Sequence, residues 1–235
     1  MPPARPRLLV FDLDGTLIDS SLDLCNAVNA ALTHVGRAPL APAIIASYIG
    51  DGAAMLVRRA LGDPGDLDSS PASDHDLFER TYHAFIHYYR EHKLDNTLCY
   101  PGVLASLHAI REQHPLLPMA VLTNKPVIPS REICIGLGLA PYFFQNYGGN
   151  SFPTKKPDPV GLLTLIAEAS ALTGTTITAA ETVMIGDSDV DVRTARACGA
   201  MTIGCSYGLA PHSLAAAAPD TIVASASEWP AALGL

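Results

Sequence analysis

Three times in this chain a short apolar run breaks off into polar, mostly acidic residues. Residues 7–11 end in Asp12-Leu13-Asp14-Gly15, residues 118–122 in Thr123-Asn124, and residues 182–185 in Gly186-Asp187-Ser188. Each run is too short for a helix and lacks the alternation of a half-exposed strand, so each predicts a strand buried on both faces. Residues 201–203 and 221–223 predict two more. Helical patterns fall between them, at 103–113, 130–137, 160–169 and 190–197. Strands alternating with helices predict an α/β fold, a Rossmann-like parallel sheet with helices on both faces. In such sheets ligands bind beyond the carboxyl ends of the strands, where these three polar strings stand.

Residues 19–95 predict no strand. Leu22, Cys25, Val28, Leu32 and Val35 recur at helical spacing over 21–35, and Gly36 closes the run. Shorter helices are predicted at 43–49 and 53–61, then a loop rich in Gly, Pro, Ser and Asp at 62–74. Ser73 with Asp76 resembles a capping box. The next helix carries Phe78, Tyr82, Phe85 and Tyr89 on one stripe, which reads as the core of a helical bundle. The expected organisation is a discontinuous α/β core, 1–18 with 96–235, interrupted by an all-helical module at 19–95.

Composition narrows the partners. Of 235 residues, 49% are hydrophobic and 16% charged, which excludes global disorder. A chain of this size buries about 70% of its unfolded surface and needs no disulfide or metal to hold a core. The balance of 15 Lys+Arg against 23 Asp+Glu, with no basic block, excludes a nucleic-acid partner. Cys25, Cys99, Cys134, Cys198 and Cys205 are odd in number and widely spaced, as expected of free thiols in a reducing compartment. The apolar run before Asp12 is too short for a signal-peptide core. The uncharged stretches 133–154 and 197–219 are broken by Gly and Pro, so no membrane span is predicted. A soluble cytoplasmic protein, monomer or homodimer, is expected, with no membrane partner.

The strand-end strings carry chemistry. Asp12 and Asp14 share a side if the strand continues, and Gly15 permits the turn that brings both to the mouth. One of two such carboxylates can attack an electrophile while the other handles protons. Thr123-Asn124-Lys125 offers a hydroxyl, an amide and backbone N–H groups suited to phosphate oxygens. Lys155-Lys156-Pro157 offers a fixed ammonium that can balance charge on a transferring phosphoryl group. Carboxylates from Asp12 and Asp187 make an oxygen-only site suited to Mg²⁺. Asp189 reads as an acidic first-turn residue of a helix. His83 and His87 have zinc-like spacing but no fitting third ligand, and read as solvated surface.

Taken together, Asp12-Leu13-Asp14-Gly15-Thr16, Thr123-Asn124-Lys125, Lys156-Pro157 and Gly186-Asp187-Ser188-Asp189-Val190-Asp191 resemble the haloacid dehalogenase superfamily of aspartate-nucleophile phosphotransferases. Asp19-Ser20, Tyr48-Ile49-Gly50-Asp51-Gly52, Arg59-Ala60-Leu61, Tyr100-Pro101-Gly102-Val103 and Thr123-Asn124-Lys125-Pro126 resemble its phosphoglycolate phosphatase branch. Asp51 stands where that branch often carries Asn. The resemblance implies a Mg²⁺-dependent hydrolase of small phosphomonoesters, 2-phosphoglycolate foremost. It makes Asp12 the nucleophile, Asp14 the acid and base, and Thr123, Asn124 and Lys156 the phosphate ligands. Asp12, Asp187 and the Asp14 carbonyl would hold Mg²⁺, and Asp191 would steady its water shell. The helical module would be a mobile cap, with Gly50 and Asp51 on a substrate-facing loop and Arg59 in contact or in support.

Other readings stay open at this point. Sugar phosphates, nucleotides and pyrophosphate are alternative substrates, and a phosphosugar mutase shares the fold. A haloacid dehalogenase would have no need of the acid and base at Asp14. A receiver-like phospho-acceptor also uses strand-end acids, a Thr and a Lys, but has no helical insert. A regulatory binding protein of the same fold would not require the full set Asp12, Asp14, Lys156 and Asp187.

Overall fold

The computed structural model describes residues 5–63 and 72–235, with side chains described from residue 75 in the second span. The chain begins with β1 (Leu8–Phe11) and β2 (Ile18–Asp19). Four helices follow: α1 (Ser21–His34), α2 (Pro42–Ala46), α3 (Ala53–Ala60) and α4 (Ala72–His92). Then come β3 (Leu98–Cys99), α5 (Val103–Gln113), β4 (Met119–Leu122), α6 (Val127–Gly136) and β5 (Gln145–Tyr147). The remainder is α7 (Val160–Thr173), β6 (Thr182–Gly186), α8 (Asp189–Cys198), β7 (Met201–Cys205), α9 (Pro211–Ala217), β8 (Thr221–Val223) and α10 (Trp229–Leu233).

The chain divides into two compact units, Met1–Asp19 with Cys99–Leu235, and Ser20–Leu98. The first holds a six-stranded sheet in the order β5-β4-β1-β6-β7-β8, every pair parallel. Its central strand reads Leu-Leu-Val-Phe and is buried throughout, because it has neighbours on both edges and layers on both faces. Leu8 and Val10 join a core cluster with Leu122, Leu162, Leu165 and Met184. Phe11 packs instead against Trp229, with ring centroids 5.2 Å apart. β1 pairs with β4 on one edge and β6 on the other. Connections therefore run in opposite directions from β1, which opens a crevice at its carboxyl end.

The second unit is helical. α1 buries Leu24, Cys25, Val28, Ala31 and Leu32, whereas Leu22, expected on that face, is half exposed. On α4, Phe85 and Tyr89 are buried and stacked, and Phe78 and Tyr82 stack while only part-buried. The expected loop at 62–74 falls largely outside the described residues, as does the side chain of Ser73 and with it the capping box.

Candidate active site

The strand that carries the first acidic string does not continue. β1 stops at Phe11, Asp12 N still donates to the Ile185 carbonyl at 2.8 Å, and the chain then turns. Leu13 is fully buried and Gly15 takes φ +86°. The condition for Asp12 and Asp14 to share one side of a strand is therefore not met. Each carboxylate instead finds its own lysine. Asp12 Oδ1 lies 2.9 Å from Lys156 Nζ, in ion-pair contact but off hydrogen-bond alignment. Lys125 Nζ donates to both Asp14 oxygens, at 2.9 and 3.1 Å. Gly15 is required on two counts, since its φ is left-handed and a Cβ there would lie 2.1 Å from Asp187 Oδ2.

β4 delivers Thr123 and Asn124 to the same crevice, both buried. Thr123 N donates to the Tyr147 carbonyl, and Thr123 Oγ1 accepts from Lys125 N at 3.2 Å, a local turn that fixes where Lys125 departs. Asn124 Nδ2 donates to the Lys156 carbonyl at 3.1 Å, which ties the second string to the third. Lys156 is buried, while Lys155 is exposed. Lys156 Nζ also donates to Asp191 Oδ1 at 2.6 Å.

β6 delivers the last string. Ser188 caps α8, and Asp191 Oδ2 accepts from its N at 3.1 Å and its Oγ at 2.8 Å, a reciprocal capping box. Both Asp191 oxygens thus have donors already. Asp187 is held by the loop after β7: Leu209 N and Ala210 N donate to its Oδ2 at 2.7 and 3.2 Å. Tyr207 Oη donates to the Thr16 carbonyl at 2.9 Å. A Cβ on Gly208 would come within 2.3 Å of both Asp187 Cβ and the Gly15 carbonyl oxygen. Asp189 turns outward to Arg193, 2.7 Å away on the helix surface.

Electrostatics follow from burial. Burial pushes the Asp12 carboxyl up to about 6, with Lys156 pulling it down and Asp191 pushing it further up. Burial also raises Asp187 well above the usual carboxylate range, and its neighbours Asp191 and Asp12 add to that. Burial alone would lower Lys156, but Asp12 and Asp191 overrule it and raise the ammonium instead. Fully ionised, the four carboxyls (Asp12, Asp14, Asp187, Asp191) would outnumber the two ammoniums (Lys125, Lys156) by two charges. Asp12, Asp187 and Asp191 each offer an oxygen, and these oxygens lie within 4.8 Å of one another. An oxygen-only cluster short of two positive charges fits a hard divalent cation.

Asp12, Asp14, Thr123, Asn124, Lys156, Asp187 and Asp191 all stand at the carboxyl ends of β1, β4 and β6 or in the segments that follow β1, β4, β5 and β6. Gly50, Asp51 and Arg59 form a separate group in the helical unit. Gly50 has φ +125°, and Arg59 pairs with Asp51 while donating to the Tyr48 carbonyl at 3.0 Å. Residue reasoning missed the partner of Lys125 and the whole grip of residues 207–210. The signal for the second was the glycine of Ser206-Tyr207-Gly208 in the turn after β7, since a glycine there marks close backbone approach. His83 and His87 are exposed, none of the five cysteines is in a disulfide, and no helix among the described residues is long and apolar enough to cross a membrane.

The chain is similar to known proteins along most of its length. Residues 9–205 match the model of the haloacid dehalogenase-like hydrolases. A phosphoglycolate phosphatase from Chromobacterium violaceum is 41% identical over 88% of this chain and 88% of its own. One from Neisseria meningitidis is 38% identical over 94% of this chain and 91% of its own. A crystal structure described as a "predicted phosphoglycolate phosphatase" from Haemophilus somnus superposes with a TM-score of 0.84, at 27% identity, over 97% of this chain and 98% of that one. The strand-end cluster and these likenesses lead to one conclusion: the chain belongs to the haloacid dehalogenase-like hydrolase family.

Proposed function

We propose that this hydrolase is a Mg²⁺-dependent phosphatase of small phosphomonoesters, 2-phosphoglycolate foremost, working through an aspartyl-phosphate on Asp12. The observation that carries the reading is Asp12 Oδ1, buried 2.9 Å from Lys156 Nζ and clustered with Asp187 and Asp191. The relatives named phosphoglycolate phosphatase support the substrate. Asp12 attacks phosphorus, forming a P–O bond as the ester P–O bond breaks. Asp14 gives its proton to the leaving oxygen. It then takes a proton from the water that hydrolyses the acyl phosphate, releasing inorganic phosphate and restoring the Asp12 carboxylate and the Asp14 acid. Thr123 Oγ1 and the Asn124 N–H hold phosphate oxygens, and Lys156 balances their charge. Held by Asp12, Asp187 and the Asp14 carbonyl, with Asp191 steadying its water, Mg²⁺ would supply the positive charge that the cluster lacks. The helical unit acts as the cap that sets substrate choice, with Gly50, Asp51 and Arg59 on its specificity loop.

The test is phosphate release from a panel of phosphomonoesters with Mg²⁺, with EDTA, and for Asp12→Asn. Activity is expected in the first condition alone. Turnover that survives both chelation and Asp12→Asn would overturn the mechanism, and none on any small phosphate would favour a binding protein.

A further inference from the structure

Among the described residues the buried cations are Arg58, Lys125 and Lys156. Arg58 belongs to the helical unit, where it pairs with Asp63 at 2.9 Å and lies over the Phe78 ring. Lys156 is committed to Asp12 and Asp191. Lys125 is different. It is 5% exposed and holds both oxygens of Asp14, the group that must reach the leaving oxygen. A buried ammonium is costly to place, so its partner matters.

We propose that Lys125 is the carboxylate subsite: when substrate binds, its ammonium passes from Asp14 to the carboxylate next to the scissile ester. This rests on the reading of the chain as a phosphoglycolate phosphatase. The geometry carries it. To donate a proton, Asp14 must stand about 3 Å from the leaving oxygen. Lys125 Nζ, 2.9 and 3.1 Å from the two Asp14 oxygens, then lies within about 4–6 Å of that oxygen. In 2-phosphoglycolate the carboxylate carbon is two bonds from the leaving oxygen, so a carboxylate oxygen comes within about 3 Å of it and within hydrogen-bond reach of Nζ. The exchange replaces one charge-assisted bond with another and frees Asp14 to take up from solvent the proton that it gives to the ester oxygen. A substrate ending in a methyl group has nothing to take the ammonium, which stays on Asp14. A buried carboxylate without a cation is penalised, so the same lysine selects for acids over neutral esters.

The test compares kcat/KM for 2-phosphoglycolate and ethyl phosphate, which differ by a carboxylate against a methyl. Wild type is expected to prefer 2-phosphoglycolate. Lys125→Met is expected to lower kcat/KM for 2-phosphoglycolate far more than for ethyl phosphate, shrinking the preference by about 30-fold or more. Lys125→Arg, which keeps the charge, is expected to hold the preference within about threefold of wild type. Equal losses for both substrates in Lys125→Met would overturn the subsite and leave Lys125 a positioning residue for Asp14. A wild type that hydrolyses other phosphomonoesters without favouring 2-phosphoglycolate fails earlier, and it is the substrate reading that then falls. Calorimetry with 3-phosphonopropionate and propylphosphonate, in Mg²⁺, gives a readout free of turnover. Wild type should bind the carboxylate more tightly and Lys125→Met should not, with circular dichroism verifying the fold. An affinity gap that persists in Lys125→Met overturns the proposal.

Discussion

Asp23 in the helical unit and Asp12 in the α/β unit are the same residue, both buried, yet their surroundings act on them in opposite directions. Asp23, at 1% exposure, accepts from Asn96 N, Asn96 Nδ2, Thr97 N and Thr97 Oγ1, at distances from 2.7 to 3.1 Å. Burial would raise its carboxyl, but the Asn96 and Thr97 hydrogen bonds outweigh burial and hold it below the usual carboxylate range. For Asp12, at 7% exposure, burial wins: Lys156 pulls the carboxyl down, but Asp191 pushes it up and the balance stays raised. Asp187 is raised as well, despite two backbone donors. A buried carboxylate saturated with donors is part of the scaffold. One left short of them is chemically unfinished until a cation or substrate arrives.

The largest effects should separate the two kinds. Asp12→Asn is expected to cut kcat by at least about 10⁴-fold. In EDTA its urea midpoint should hold or rise, because a neutral amide is less costly to bury than a charge short of partners. Asp23→Ala is expected to do the reverse. Stripping the acceptor from four donors should cost about 2–4 kcal/mol in urea denaturation, with kcat of the folded protein within about threefold. An Asp23→Ala protein of full stability and no turnover would break the comparison.

The pH dependence of stability should carry opposite signs. A carboxyl raised from 3.8 to about 6 binds its proton more tightly in the folded state, so the folded state gains stability as pH falls through 6 toward 4. For Asp12 alone the gain is on the order of 3 kcal/mol at about 1.4 kcal/mol per unit. Asp23 is lowered, so its contribution is present above the unfolded value and is lost as pH falls through its folded one. Melting temperatures from pH 7 to 4.5 in EDTA, wild type minus Asp12→Asn, isolate the first term. Saturating Mg²⁺ should flatten it, because a cation competes with the proton. An identical slope with and without Mg²⁺ would remove Asp12 from the cation's ligands.

The two regions also differed in legibility. The strings at Asp12, Thr123 and Asp187 stood out because a charge or amide that stops an apolar run is conspicuous on a strand buried on both faces. β5 was missed for the converse reason. Its Gln145-Asn146-Tyr147 is polar and half-buried, as an edge strand can be, and no apolar run announces it. Lys125 stood in a recognised string, but a sequence does not distinguish a solvated lysine from one aimed at Asp14. The Asp23 acceptor joins residues more than 70 positions apart, half of its donors being main-chain groups that any residue type supplies. The grip on Asp187 likewise uses the N–H groups of Leu209 and Ala210 and the missing Cβ of Gly208.

That missing Cβ gives a smaller test. Gly208→Ala puts a carbon 2.3 Å from Asp187 Cβ, so the loop must move and release Oδ2. Mg²⁺ affinity measured by calorimetry should fall about 10- to 100-fold, as when other outer partners of metal ligands are removed. Unchanged affinity would make the loop a spectator and would leave Asp187 as self-sufficient as Asp23.

The smallest expected effect lies in the helical unit, at Arg59 and Asp51. Their side chains are 27% and 37% exposed, against 4% and 13% for Lys125 and Asp14. Water can serve either partner of the exposed pair, so Arg59→Ala should change urea stability by no more than about 1 kcal/mol. Its donation to the Tyr48 carbonyl adds one further bond that water can replace. If this loop sets substrate choice, the consequence is functional. Arg59→Ala and Asp51→Ala should each reorder a panel of phosphomonoesters while the Mg²⁺ dependence stays as in wild type. An unchanged ranking in both variants would reduce the pair to an ordinary surface contact. Substrate choice would then rest on groups such as Lys125, where burial makes a charge expensive to leave without a partner.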